Sequence, residues 1–142
     1  MDTNKSTGAL EDVKVNVKLK ISALWIAVMF LYVYVDIFSL QKPGVIQDIM
    51  AGKMFVFQIS QAFLFFTTLY VLVPILMIFL SLVLKPKANR LINIIVSIIY
   101  FVTMVGACVG ETYAFYIFGT VIESLLLLAI VMYAWKWPKQ QA

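Results

Sequence analysis

The chain alternates between long apolar runs and short polar stretches, and four runs stand out, at about 21–40, 54–84, 91–109 and 112–135. A helix needs about 20 apolar residues to cross a hydrocarbon core about 30 Å thick. The first, third and fourth runs have that length. All four are continuously apolar rather than alternating, which argues against a transmembrane barrel. The second run is too long, because thirty or so helical residues would extend about 45 Å at 1.5 Å each. Part of it must tilt, kink or leave the core. Pro74 lies inside it and has no backbone donor, so a kink is expected near 71–74. The pattern predicts an all-α integral membrane four-helix bundle.

The polar stretches between the runs add detail. In the loop 41–53, Pro43 suits a helix start and Gly52 a helix end. Val45, Ile46, Ile49 and Met50 share one helical face, while Gln47 and Asp48 lie on another. A short amphipathic helix is expected there, between spans one and two, on the outer surface; an irregular loop is the alternative. The stretch 13–20 alternates strictly and could form a strand. A tail whose lysines touch anionic headgroups, with its last residues joining the first helix, is the preferred reading. The expected division is a polar basic tail 1–19, a four-span domain 20–137 and a C-terminal tail 138–142. The first run exceeds the 7–15 residues of a signal core, so it is read as a retained span.

Charge orients the bundle. Lys5, Lys14, Lys18 and Lys20 precede span one, Lys85, Lys87 and Arg90 separate spans two and three, and Lys136 and Lys139 follow span four. Only Lys42 and Lys53 fall on the other side. The positive-inside rule therefore puts both termini in the cytoplasm. Trp135 and Trp137 fit an inner interfacial belt beside these cations.

Composition narrows the function. The 142 residues are 63% hydrophobic and 13% charged, against about a quarter charged in soluble domains. The absence of histidine removes the commonest general base, haem ligand and zinc ligand. A single cysteine, Cys108, allows neither an intrachain disulfide nor an iron–sulfur cluster held by this chain alone. No dinucleotide or phosphate-binding glycine motif is present. The net charge of +4 sits outside the apolar runs and reads as topology, not as a nucleic-acid footprint. No catalytic residues, cofactor or metal site are expected.

Ionisable residues at membrane depth are the strongest functional signal in such a chain. Glu123 lies near the middle of span four and Asp36 in the outer third of span one. Thr120 and Tyr116 precede Glu123 by three and seven residues and share its stripe. Gln58 and Gln61 are expected one turn apart at the start of span two. With Glu111 and Tyr113 these residues could form a polar cleft open to the outside, centred on Glu123. Of Tyr32 and Tyr34, two apart, only one can face inward. The competing reading of these residues, Glu123 as well as the glutamines, is interhelical glue. Gly106, Ala107 and Gly110 give a small-xxx-small pattern for close packing of span three.

Three places carry a family resemblance: the opening Lys20-Ile-Ser-Ala-Leu-Trp-Ile, Asp36-Ile-Phe-Ser-Leu with the Pro43-Gly44 turn, and the late glutamate of span four. The chain resembles a family of small four-span bacterial membrane proteins of unknown function. More distantly it is similar to the DoxX-like membrane proteins. The latter resemblance implies a membrane redox partner, and it transfers no catalytic residue.

Three functions compete. The first is a non-enzymatic bundle whose cleft binds or passes a small ligand or cation. The second is an accessory subunit of a membrane complex, with the outer helix as a docking lid. The third is an enzyme on lipid or quinone, with Asp36 and Glu123 as an acid–base pair. The first is preferred. The expected partners are the lipid bilayer and either a second copy or another membrane protein, without nucleic acid. The expected location is a bacterial inner membrane, as a multi-pass protein.

Overall fold

The computed structural model describes residues 13–138. Five helices and one small hairpin follow in order: α1 (Val17–Ser39), α2 (Val45–Met50), β1 (Lys53–Met54), β2 (Phe57–Gln58), α3 (Gln61–Val83), α4 (Pro86–Ala107) and α5 (Ala114–Trp135). The four long helices are each apolar and long enough to cross a membrane. Most of the tail expected at 1–19 and the end of the tail at 138–142 lie outside the described residues. Residues 13–16 form no strand, and helix α1 begins at Val17, where the Asn16 side chain accepts a hydrogen bond from Lys18 N at 2.9 Å.

Cross-helix pairs establish the register. Lys18 and Ser22 of α1 meet Leu82, Leu84 and Ile78 at the end of α3, so these helices run antiparallel. Val35 and Lys20 of α1 face Gly119 and Tyr133 of α5, again antiparallel. Arg90 stacks on Trp135, joining the start of α4 to the end of α5. Helix α1 packs along both α3 and α5, α5 packs along α4, and α3 and α4 meet over a shorter seam. Both described ends of the chain thus lie at one end of the bundle. Lys18, Lys20, Lys85, Lys87, Arg90 and Lys136 gather there, and we call it the basic end. The other end carries α2 and the hairpin.

The overlong second run resolves into two elements. Its first residues are not helical: Lys53 pairs with Gln58 and Met54 with Phe57, around a turn at Phe55-Val56. Phe55 takes φ 53°, a left-handed value that a two-residue hairpin turn demands and that glycine usually supplies. Ser60 then caps α3, accepting from Phe63 N at 3.1 Å. The remaining 23 residues extend about 35 Å, a length that crosses the core with a modest tilt.

Helix α3 continues through Pro74 as one element. Proline offers no N–H to the carbonyl four residues earlier, which here is Tyr70 O. The hydroxyl of Tyr100 on α4 donates to that carbonyl instead. In a bilayer no water would do so, and an orphaned carbonyl costs several kcal/mol, roughly. The two tyrosine rings stack with centroids 4.7 Å apart.

Buried residues form one narrow seam. Ile21, Trp25, Val28, Met77, Leu127, Ile130 and Ala134 make its core towards the basic end. Large side chains such as Phe30, Phe66, Phe79 and Phe118 point outward and are more than 60% exposed. A soluble protein could not leave so much apolar surface uncovered; lipid covers it without penalty. The close packing expected at Gly106 and Gly110 is not seen. A Cβ on either would meet nothing within 4 Å, and Gly110 serves the turn after α4 with φ +85°. The tight approach is at Gly119, where a Cβ would come 2.5 Å from Val35 Cγ2.

Candidate functional site

Helix α5 carries the stripe Tyr116, Thr120 and Glu123, followed by buried Leu127, Ile130 and Ala134 at the same helical spacing. The core face of α5 therefore draws Glu123 inward, and it is 3% exposed. It lies nine residues beyond Ala114, about 14 Å along a helix about 33 Å long, so near mid-span. Its Oε1 is buried and has no hydrogen-bond partner among the described residues. Thr120, one turn nearer the α2 end, is also buried.

Three other helices complete the surroundings. Tyr32 and Asp36 come from α1 and Tyr70 from α3, and each lies within electrostatic reach of Glu123. Of the two α1 tyrosines, Tyr32 faces inward and Tyr34 faces lipid. Asp36 is exposed and about one turn from the end of α1, which puts it near headgroup depth. Tyr116 lies within reach of three carboxylates at once, Glu111, Asp36 and Glu123. The acids thus descend from the α2 end to mid-span, with Tyr116 at a level between Glu111 and Glu123. Ser97 of α4 is fully buried, and its hydroxyl is the other unpartnered buried side-chain atom among the described residues. It lies ten residues before Ala107, about 15 Å from that end, level with Glu123.

Gln58 and Gln61 do not join this cluster. Gln58 belongs to β2, not to a membrane helix, and is exposed. Gln61 is the exposed first residue of α3, nine residues or about 14 Å above Tyr70. The expected single turn between the two glutamines fails because the chain is extended at Gln58 and becomes helical only after Ser60.

Glu111 lies in the α4–α5 loop, on the α2 side of these residues. Its Oε2 meets Lys42 Nζ at 2.5 Å, while Oε1 accepts from Thr112 N and Tyr113 N at 2.9 and 3.0 Å. The Lys42 ammonium, and then the Tyr113 N–H, hold the Glu111 carboxyl below the usual carboxylate range. The same ammonium lies 4.6 Å from the ring centre of Tyr116, 4.8 Å from Tyr113 and 5.5 Å from Phe115.

Nearer the basic end lies a second polar cluster, which the sequence reading missed. Trp25 Nε1 donates to Asn93 Oδ1 at 2.7 Å, and Ser81 Oγ reaches the same oxygen at 3.2 Å. Asn93 Nδ2 donates to Asn89 O and Oδ1, and Asn89 Nδ2 donates to Ser81 O. All four side chains are fully buried. Each polar group in it has a partner, so this network ties α1, α3 and α4 together rather than awaiting a ligand. Its signal was available: Asn89, Asn93 and Ser97 recur every fourth residue on one helix face. Reading the third span from Leu91 left Asn89 outside it, whereas α4 starts at Pro86.

Two cavities offer space beside these helices. One, of about 10 Å³, lies under Tyr32, Tyr70, Tyr100 and Pro74 and holds one water at most. The other is an open groove of about 290 Å³ along Thr67, Thr68, Val71, Leu72 and Ile75. It lies on α3 alone, and its two hydroxyls donate to Phe63 O and Leu64 O of the same helix. It is a lipid-facing furrow, and neither cavity holds Glu123.

A family model described as a family of unknown function (DUF6326) matches residues 10–142. No curated protein and no solved structure matches the chain.

Proposed function

The chain belongs to this DUF6326 family, which defines no activity, and from its own residues we propose a non-enzymatic membrane protein that binds or passes a small cation or proton at Glu123. The observation that carries the proposal is the buried, mid-span Glu123 Oε1 without a partner among the described residues. A carboxylate at the bilayer centre costs about 2.5–3.5 kcal/mol on insertion scales. Burial without a counter-charge raises that cost, so the group must be neutralised by a proton or a cation. Thr120 and Tyr116 share the Glu123 stripe on α5, Tyr32 of α1 lies within electrostatic reach, and Asp36 supplies a second charge nearer the surface. The Ser97 hydroxyl of α4, level with Glu123, is likewise buried and without a partner among the described residues. The route in is from the α2 end, past Glu111 and Tyr116.

The basic end faces the cytoplasm in this reading, as the positive-inside rule requires. That places the cleft mouth outside a bacterial inner membrane. The test uses the purified chain in proteoliposomes with an internal pH dye. An imposed pH step should dissipate faster with the wild type than with empty vesicles, and Glu123→Gln should remove the difference. Flux unchanged by Glu123→Gln, or none in the wild type, overturns the proposal.

A second reading, an accessory subunit, draws on the α2 end. Ile46, Met50, Phe55, Val56 and Phe57 project there and are 55–90% exposed. They offer an apolar docking surface to another membrane protein or a second copy. The DoxX-like resemblance belongs to this reading, with the partner supplying the redox centre. Charged substitutions at Phe55 and Val56 should then release a copurifying partner while the bundle stays folded. A chain that purifies alone counts against it.

A further inference from the structure

Lys42 occupies an unusual setting for a loop lysine. Its side chain and that of Glu111 are 10% and 13% exposed, although both lie in connections between helices. Three rings surround the ammonium on one side and a carboxylate completes the enclosure. The cage is built from one short segment, Glu111, Tyr113, Phe115 and Tyr116, on the loop before α5 and its first turn. The turn at Gly110, with φ +85°, carries the chain from α4 into this segment. Lys42 comes from a different connection, the turn after α1, and enters from outside.

Aromatic faces with a carboxylate form a receptor for an ammonium group. The rings attract a weakly hydrated cation most strongly, whereas a lysine ammonium is strongly hydrated. The enclosure thus suits an alkylated ammonium on its aromatic side and a protonated amine on its carboxylate side. Tyr116 is shared with the Glu123 stripe and lies within reach of Asp36 and Glu123. The cage therefore stands between the α2 end and Glu123.

We propose that Glu111, Tyr113, Phe115 and Tyr116 form a binding site for organic ammonium groups, in which Lys42 is the tethered occupant that an arriving cation displaces. The site stands on its own geometry. Only onward passage of the cation to Glu123 rests on the function proposed above. The ammonium can belong to a soluble amine or to a lipid headgroup, since the end of α1 and the start of α5 lie at headgroup depth.

The test titrates tetramethylammonium against the full chain in nanodiscs of phosphatidylglycerol alone, observing the probe's methyl protons by NMR. A methyl group held among three rings shifts upfield through their ring currents. Lys42→Ala should bind the probe about tenfold or more tightly than the wild type, because a tethered competitor acts at an effective concentration in the millimolar range. Tyr113→Ala in the Lys42→Ala background should abolish the shift, and sodium should not compete. Lys42→Met, which keeps an apolar stem, provides the same comparison if Lys42→Ala does not fold. Adding phosphatidylcholine to the nanodiscs separates the sources: loss of the probe signal identifies a headgroup ligand, and retention identifies a soluble one. Glu123→Gln in the Lys42→Ala background should leave the shift intact, so failure of the deep site and failure of the cage are read separately. No upfield shift in either Lys42 variant, or a shift that survives Tyr113→Ala, overturns the proposal.

Discussion

Replacing Gly119 with alanine tests the seam that brings Tyr32 and Asp36 to Glu123. The new Cβ would lie 2.5 Å from Val35 Cγ2, whereas two carbons rest about 3.5–4.0 Å apart. Something must move by about 1 Å or more. Val35 is buried and β-branched, so in a helix it has one strongly preferred rotamer and cannot swing aside freely. Separation of α1 from α5 is the remaining response. Overpacking of this kind costs about 1–3 kcal/mol. Val35→Ala alone should cost about 1 kcal/mol, because the bilayer is as apolar as the core and only packing is lost. In the double variant the methyl introduced at position 119 would sit 3.8 Å from the β-carbon at position 35, an ordinary contact. The pair should therefore be strongly non-additive, with the double variant at least as stable as Gly119→Ala alone and a coupling of about 1–3 kcal/mol. Unfolding in mixed micelles, followed by the fluorescence of buried Trp25, measures all four species. A Gly119→Ala cost below about 0.5 kcal/mol, or additive effects, would refute the α1–α5 register described here.

Two further predictions follow from single groups. Tyr100→Phe should destabilise the bundle by about 1–3 kcal/mol, since Tyr70 O then loses its donor. Pro74→Ala returns an intrahelical N–H to that carbonyl, so Tyr100→Phe should cost much less in the Pro74→Ala background; an equal cost in both would show that the hydroxyl is not substituting for the missing donor. The Lys42–Glu111 pair should also be pH-sensitive in a defined direction. The folded-state pKa of Glu111 is lowered, so its stabilising contribution is complete above the ordinary carboxylate value of 4.5 and disappears as pH falls through the lower folded value. Stability of the wild type relative to Glu111→Gln, measured across that acidic window, should shrink with falling pH, and a constant or growing difference contradicts the assignment.

The one-dimensional pattern was enough for the four spans, because membrane insertion depends on summed hydropathy over about 20 residues. It was also enough for the short helix α2, whose flanking Pro43 and Gly52 and apolar spacing are local features. Glu123 stood out for the same reason: a charge in an apolar run carries its cost whatever packs around it. Local pattern failed at 54–60, where aromatic and β-branched residues read equally well as membrane helix or as strand. Only the Ser60 cap and the pairing of Lys53 with Gln58 separate them, and with them Gln58 leaves the site.

Features that depend on which helix neighbours which were decided by the tertiary packing. Gly106 and Gly110 have the spacing of a packing motif, but the close approach fell to Gly119, because Val35 is what α1 presents there. Tyr100 completes the hydrogen bonding of Pro74's helix from another span, 30 residues away along the chain. Lys42 looked like a minor exception to the charge bias, yet its ammonium is enclosed by residues from 111 to 116. Hydropathy and local propensity act along the chain and leave a record in sequence. Partner choice for a buried polar group acts across it, and is settled only when the helices meet.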